Sequence, residues 1–321
     1  MFKPSTTRQP VIFDADPTTY HLAQSDARGT VGYTMSRGEL RKFAACPQKW
    51  LRGSKVKQSG AMAWGSLVDT LVLTPDKLMA AYTIEPAEYE TTGMECPSCG
   101  SVTDSKKCRK CKRDRVEITM LKPWSNNSDT CAEWLEARRS EGKTPISSDL
   151  LEQARIANDR LMEDAEIRSI LDGSRKQVAV YVDWHDKETG LIIPFKCLLD
   201  IVPTPESDHG DTIYDLKTTD DASGIKWPKT VFNHGLHYQS AVYLDAYNAA
   251  SGLNYRNFGH VIQESEPPYE PTHRLLAQEF LDLGRSQYQA NLSFYCWCIA
   301  NNKFPGYDTA ICELESWMIL K

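Results

Sequence analysis

The stretch YDLKTTDDAS, residues 214–223, decides how the rest of the chain is read. It closes an apolar run, DTIYDLKTT, that has the look of a β-strand, and in a strand residues two apart point to the same face. Asp215 and Lys217 then stand side by side, carboxylate next to ammonium. On an exposed face such a pair contributes about 0–1 kcal/mol. In a pocket beside a second acid it is half of a metal-dependent hydrolytic site. The second acid is Asp200, fifteen positions upstream in LIIPFKCLLDIV, with the turn-forming PTPESDHG between the two strands. Pairing those strands as a hairpin brings the two carboxylates together.

Two carboxylates and a main-chain oxygen, for which Leu216 is the candidate, suit Mg²⁺ or Mn²⁺, hard ions that prefer oxygen ligands. Lys217, on the face of Asp215, would orient the attacking water, favour its ionisation and steady negative charge on a phosphate. The pattern D-(x)14-D-x-K is thus the minimum set for metal-dependent phosphodiester hydrolysis. Spacing alone leaves solvated hairpin ends open as the alternative. Gln239 and Tyr243 in HYQSAVY lie one helical turn apart and share a face. They read either as the polar edge of a buried helix or as contacts to substrate.

Upstream, Ser36 and Glu39 form an S-x-x-E capping box that opens a helix in SRGELRKFAACPQKWLRG, with Pro47 breaking or kinking it. A second helix is predicted over AMAWGSLVDTLVL, a short helix and turn over DTCAEWLEARRSEGKTPIS, and one long amphipathic helix from SSDLLEQ to RSIL, residues 147–171. The strands KQVAVYVDW, LIIPFKCLLDIV and DTIYDLKTT follow, then a helix closed by Gly252, a strand over YRNFGHVIQES and a last helix over AQEFLDLGRSQYQANLSFYCWCIAN. Residues 1–33 carry no sustained period and read as an irregular arm. Helices, then strands joined by short turns, then a helix, argue for an α/β or α+β core.

At 321 residues, against about 150 per domain, the chain has room for one large domain or two small ones. A net charge of −6 removes any global basic field toward nucleic acid or an anionic membrane, without excluding a local basic groove. No apolar run reaches the roughly 20 residues of a membrane span, and the first residues lack a secretory h-region. The ten cysteines are dilute at this length and four fall in CxxC pairs, so a reducing, cytoplasmic compartment is expected. No Gly-rich phosphate loop, HExxH or G-x-S-x-G motif is present.

Taken in order, several stretches resemble the RecE-type, exodeoxyribonuclease VIII-like phage and prophage exonucleases of the PD-(D/E)XK nuclease superfamily. They are MSRGELRKFAACPQKW, AMAWGSLVDTLVLTPDKL, CLLDIV, YDLKTTDDAS, HYQSAVYLDAY and FPGYDTAI, with Trp317 beyond them. DLKTT followed by a Q-x-x-x-Y helix is the sharpest part. The resemblance runs from about residue 34 to the C-terminus and leaves 93–113 outside. It implies an endonuclease-like α/β core with a mixed central sheet flanked by helices. It also implies Mg²⁺-dependent degradation of linear double-stranded DNA from its ends, usually 5′ to 3′, to expose single strands for recombination. Ring-shaped homo-oligomers and a single-strand annealing protein as partner belong to the same picture. Asp200 and Asp215 would be metal ligands, Lys217 the catalytic lysine, and Gln239 and Tyr243 the supporting pair. Two positions depart from the family. Asp69 stands where it usually has His, and as an oxygen ligand to Mg²⁺ it can keep that role. Gln177 stands where an acid is usual. A structure-specific or CRISPR-adaptation-type endonuclease, and a catalytically silent DNA-binding recombination module, are the competing functions.

The segment outside the resemblance carries Cys96, Cys99, Cys108 and Cys111 as C-x2-C-x8-C-x2-C. Two such turns complete a tetrahedral Zn–S4 site, so 93–113 reads as a structural zinc ribbon inserted in a nuclease domain of residues 34–321. Lys106, Lys107, Arg109, Lys110, Lys112 and Arg113 stud it, either as a solvated surface or as phosphate contacts for DNA. Cys46, Cys131, Cys197, Cys296, Cys298 and Cys312 are expected as free thiols, mostly buried.

Overall fold

The Val- and Ile-rich stretches expected as strands pair edge to edge, because their backbone N–H and C=O groups find partners only on a neighbouring strand. In the computed structural model, which describes residues 1–22, 25–53 and 60–307, Ser174–His185 and Ile192–Pro203 form a long antiparallel hairpin from Ile192↔His185 to Pro203↔Ser174. Its turn is tied by Asp186, whose carboxylate accepts from the Thr189 amide and hydroxyl at 2.9 and 2.7 Å. Thr212–Thr219 lies antiparallel to the second arm, registered at Ile201↔Tyr214. Asn257–Glu264 then runs parallel to Thr212–Thr219, from Thr212↔Asn257 to Thr219↔Glu264. A parallel neighbour needs a crossover, and the helix Leu236–Ser251 supplies it. Pro271–Leu275 closes that edge.

The chain divides into two compact units, Met1–Asp69 with everything from Ala157 onward, and Thr70–Ile156. The first holds the sheet just described, which is mixed and flanked by helices, as expected. The helices Arg37–Ala45, Leu236–Ser251 and Gln278–Ala300 bury Phe43, Val242, Tyr288 and Tyr295 in one core with Val180, Val182, Phe195 and Leu199 of the strands. Gly284 allows the last two helices to touch backbone to backbone, since a Cβ there would collide with the carbonyl of His237. On a separate patch Ala15 and Tyr20 cluster with Ala179 and Tyr181.

Three local expectations change. Residues 1–33 are not irregular throughout: Phe2–Pro4 and Val11–Ile12 both pair with Ser174–His185, and Pro17–Leu22 is a short helix. Their pairing partners lie more than 160 positions away in sequence, so no local period reveals them. The long helix of 147–171 is two, Ser148–Glu163 and Ala165–Asp172. Asp164 breaks it by capping the second, accepting from the amides of Glu166 and Ile167 at 2.9 Å. The capping box is half formed: Ser36 caps the Glu39 amide at 3.4 Å, but Glu39 turns its carboxylate to Arg28, Tyr33, Lys42 and Trp50. That much donation outweighs its burial and holds its pKa down at about 2.

The second unit is built on an antiparallel hairpin of Glu88–Glu95 and Val116–Pro123, with Val102–Thr103 on the far side of the first arm. Tyr82–Ile84 pairs in parallel with Thr144–Ile146, and Asp129–Ser140 is helical. The cysteine-rich segment sits between the arms of the hairpin. Among the described residues no helix is long and apolar enough to cross a membrane. Cys312, Trp317 and the Asp308–Ile311 end of FPGYDTAI lie outside the described residues.

Candidate active site

The strands carrying Asp200 and Asp215 part just where the acids lie. Beyond the Ile201↔Tyr214 pair, the Leu216 amide donates to the Asp200 carboxylate at 3.1 Å. A side chain has taken the place of the ladder. Asp215 is 2% exposed. Its two oxygens accept from Gln239 Nε2 at 3.0 and 3.1 Å, and it is ion-paired with Lys217. The Lys217 ammonium also donates to the Leu216 carbonyl at 3.0 Å. Asp200, Asp215, Leu216, Lys217 and Gln239 are therefore one connected cluster.

Asp69 reaches this cluster on the helix Gly60–Leu73. One turn before it, Gly65 keeps the helix close to the strand end, since a Cβ there would sit 3.2 Å from the Thr218 hydroxyl. Asp69 is half-buried and interacts electrostatically with Lys217 and Asp215. Tyr243 sits one turn beyond Gln239, half-buried. Burial, with Cys197, Asp215 and Asp200 nearby, pushes its hydroxyl well above the usual tyrosine range. Gln177 is the residue between Lys176↔Ile201 and Val178↔Leu199, opposite Asp200, and takes the left-handed φ of 50° uncommon outside glycine.

The protonation pattern follows from three acids sharing one lysine in a desolvated place. Burial and the neighbouring Asp215 push Asp200 well above the carboxylate range, and burial lifts Asp69 to about 7. Burial works against Asp215 too, but Lys217 and its hydrogen bonds outweigh it, so Asp215 lies below its usual value. Lys217 is in turn held above the lysine range by Asp215 and Asp200, despite burial. The cluster is an oxygen-rich site short of positive charge. The Lys217 ammonium already touches two of the oxygens expected to ligate a metal, those of Asp215 and Leu216, and so stands in for a cation. The donor set fits a hard divalent ion.

Sequence reasoning did not single out His260. It is fully buried, and it is the Cα partner of Asp215 in the parallel ladder. Only the register of that ladder brings it to the site; no motif spacing does.

In the second unit the sulfurs of Cys96, Cys99, Cys108 and Cys111 lie within 4.8 Å of one another. Each CxxC pair folds as a knuckle: Gly100 donates to the Cys96 carbonyl at 2.8 Å and Lys112 to that of Cys108 at 2.9 Å, while the Cys111 amide donates to Cys108 Sγ at 3.4 Å. The amides of Cys111 and Lys110 pull the Cys108 thiol down to about 6. Four sulfurs so arranged fit a Zn–S4 centre. Lys106, Lys107, Arg109 and Lys110 are exposed around them, Lys107 4.0 Å from Asp114. Cys46, Cys131, Cys197, Cys296 and Cys298 are buried free thiols.

A crystal structure from Eubacterium rectale described as a "Putative exonuclease" superposes with a TM-score of 0.51 at 15% identity, covering 89% of this chain and 92% of that one. Crystal structures of SSO0001 and of Scheffersomyces stipitis Rai1 in complex with (3'-NADP)+ and calcium ion each score 0.25. The first is 15% identical over 44% of this chain and 61% of that one, the second 10% over 91% and 73%. Scores that low carry no argument. No curated protein matches the chain. The family model described as "PDDEXK-like domain of unknown function (DUF3799)" matches residues 34–316. With a mixed sheet, two strand-borne acids and a lysine two residues after the second, the chain belongs to this PDDEXK-like family.

Proposed function

We propose that the protein is a divalent-metal-dependent deoxyribonuclease that degrades linear double-stranded DNA from its ends, in the manner of the RecE-type exonucleases. The observation that carries this reading is the Asp200–Asp215–Lys217 cluster, in which a strand pair is opened to admit carboxylates and a single ammonium. The PDDEXK-like family and the exonuclease-like fold support a nuclease.

Asp200, Asp215, the Leu216 carbonyl and Asp69 would hold Mg²⁺ or Mn²⁺. The ion, when bound, supplies Lewis acidity toward the scissile phosphate and toward water. Gln239 grips both oxygens of Asp215 and fixes the carboxylate. Lys217 donates from the edge of the cluster, where its charge orients the attacking water and steadies the negative phosphate as the P–O bond breaks. Tyr243 positions substrate from the same helix face. The second unit adds a zinc ribbon with a structural role, and its Lys106, Lys107, Arg109 and Lys110 contact DNA phosphates. Cleavage from the 5′ end, a ring-shaped homo-oligomer, a single-strand annealing partner and a cytoplasmic location complete the proposal.

The test is digestion of linear and covalently closed circular duplex with Mg²⁺ or Mn²⁺, comparing wild type with Lys217→Ala. Loss of linear DNA alone, with at least a hundredfold drop in the variant (about 3 kcal/mol of barrier), is the expected result. Cutting of the circle would replace it with an endonuclease. Absence of cleavage by folded wild type would leave a DNA-binding recombination module.

A further inference from the structure

We propose that His260 is a positioning residue of this site, steadying Asp215 through a buried water that it shares with the indole N–H of Trp227. The inference rests on the nuclease reading. Asp215 and His260 are Cα partners on parallel strands, so their side chains leave the sheet on the same face. His260 is 0% exposed, and neither of its ring nitrogens has a hydrogen-bond partner in the protein. Trp227 Nε1, on the helix Trp227–Asn233, is likewise buried and unpartnered. The two rings meet edge-on with centroids 5.4 Å apart, and Phe258 lies 5.8 Å from the imidazole.

A buried polar group without a partner costs about 1–3 kcal/mol. In an aromatic surround like this one, phenylalanine would fill the space of the imidazole without that cost. Asp215, one His260 ring nitrogen and Trp227 Nε1 would give a water three partners, within the roughly two to four that an internal water needs. Asp215 has acceptor capacity to receive it. Gln239, Lys217 and Asp200 already donate to it, and an ionised carboxylate offers about four lone-pair sites, which leaves one for the water. A water donating to Asp215 and bonded to one His260 ring nitrogen and to Trp227 Nε1 satisfies those three groups. The imidazole works here as a neutral ring, since burial pushes its pKa down to about 3. Outer-shell partners of a metal ligand commonly tune affinity or activity by about 10–100-fold.

The experiment compares wild type, His260→Phe and His260→Gln by thermal unfolding, by Mn²⁺ calorimetry and by digestion of linear duplex. The expected Phe variant is as thermostable as wild type or more so. Its kcat falls about 10–100-fold at unchanged KM for DNA, and its Mn²⁺ affinity is weaker. The Gln variant, whose amide reaches the place of Nε2, regains part of both. A Phe variant with wild-type kcat and Mn²⁺ affinity overturns the inference and leaves the nuclease intact. If Phe does not fold, a Gln variant no better than His260→Leu in kcat and Mn²⁺ affinity overturns it. Wild type that cuts no DNA removes the nuclease reading and this inference with it. A high-resolution crystal structure gives an independent answer: an ordered water between His260 and Asp215 supports the inference, and a dry imidazole refutes it.

Discussion

Asp215 is nearly withdrawn from water, and its chemistry is set by what surrounds it. Lys217 and a hydrogen bond with Asp200 keep it ionised against its burial, while the two acids beside it, Asp200 and Asp69, are driven toward protonation because one ammonium cannot neutralise three carboxylates. This has a consequence for stability. A carboxyl whose folded pKa is raised binds more protons folded than unfolded between the two values, so stability falls as pH rises through that window. For Asp69 the window runs from about 4, its unfolded value, to about 7. Without added divalent metal, the melting temperature should fall between pH 4 and pH 7. Asp69→Asn should flatten part of that slope, and Mn²⁺ should stabilise wild type more at pH 7 than at pH 5. Thermal unfolding across pH checks all three. A slope identical in the variant would mean that Asp69 does not titrate in this window.

At the scale of elements, the site depends on two close approaches. The helix Gly60–Leu73 carries Asp69 in over Gly65, and the crossover helix Leu236–Ser251 carries Gln239 and Tyr243 over the sheet. The crossover helix is clamped from outside by Gln278–Ala300, which approaches it through Gly284 against the His237 carbonyl, two residues from Gln239. Gly284→Ala should therefore cost about 1–3 kcal/mol, the usual range for overpacking. It should also lower cleavage by displacing Gln239. Urea unfolding with a reduced midpoint at unchanged m-value, alongside the digestion assay, measures both. Unchanged stability would show that the helices separate at no cost.

At the scale of the whole molecule, the two units are held by different means. The sheet unit has a large apolar core, whereas the cysteine-bearing hairpin of Glu88–Glu95 and Val116–Pro123 buries only Gly93 along its two arms. So small a structure needs a staple, and four converging sulfurs provide one. Elemental analysis should find one zinc per chain in wild type and none in Cys108→Ser. Hydrogen exchange in the variant should show loss of protection in 93–113 and retained protection in Thr212–Thr219. Full zinc content in the variant would refute the four-sulfur centre. Acidification should release the metal, because protonated thiols do not bind it.

Much of this was legible in the sequence, for a physical reason. A strand's period fixes Asp215 and Lys217 on one face, a helical turn fixes Gln239 and Tyr243, and two CxxC turns fix four sulfurs. Each is a short-range rule that neighbouring residues enforce. An α/β or α+β core followed from apolar runs alternating with turns and helices, and the mixed sheet from the family resemblance. What the sequence could not determine depends on pairing between distant segments. The strands of residues 1–33 exist because Ser174–His185 offers an edge. Asp164 divides a continuous apolar period because its own carboxylate competes for the amides ahead. Glu39 abandons its capping partner for Arg28 and Trp50. His260 stands beside Asp215 only through the register of two parallel strands 45 positions apart. Sequence periodicity reports which face a residue takes; only the tertiary register decides which residue it meets there.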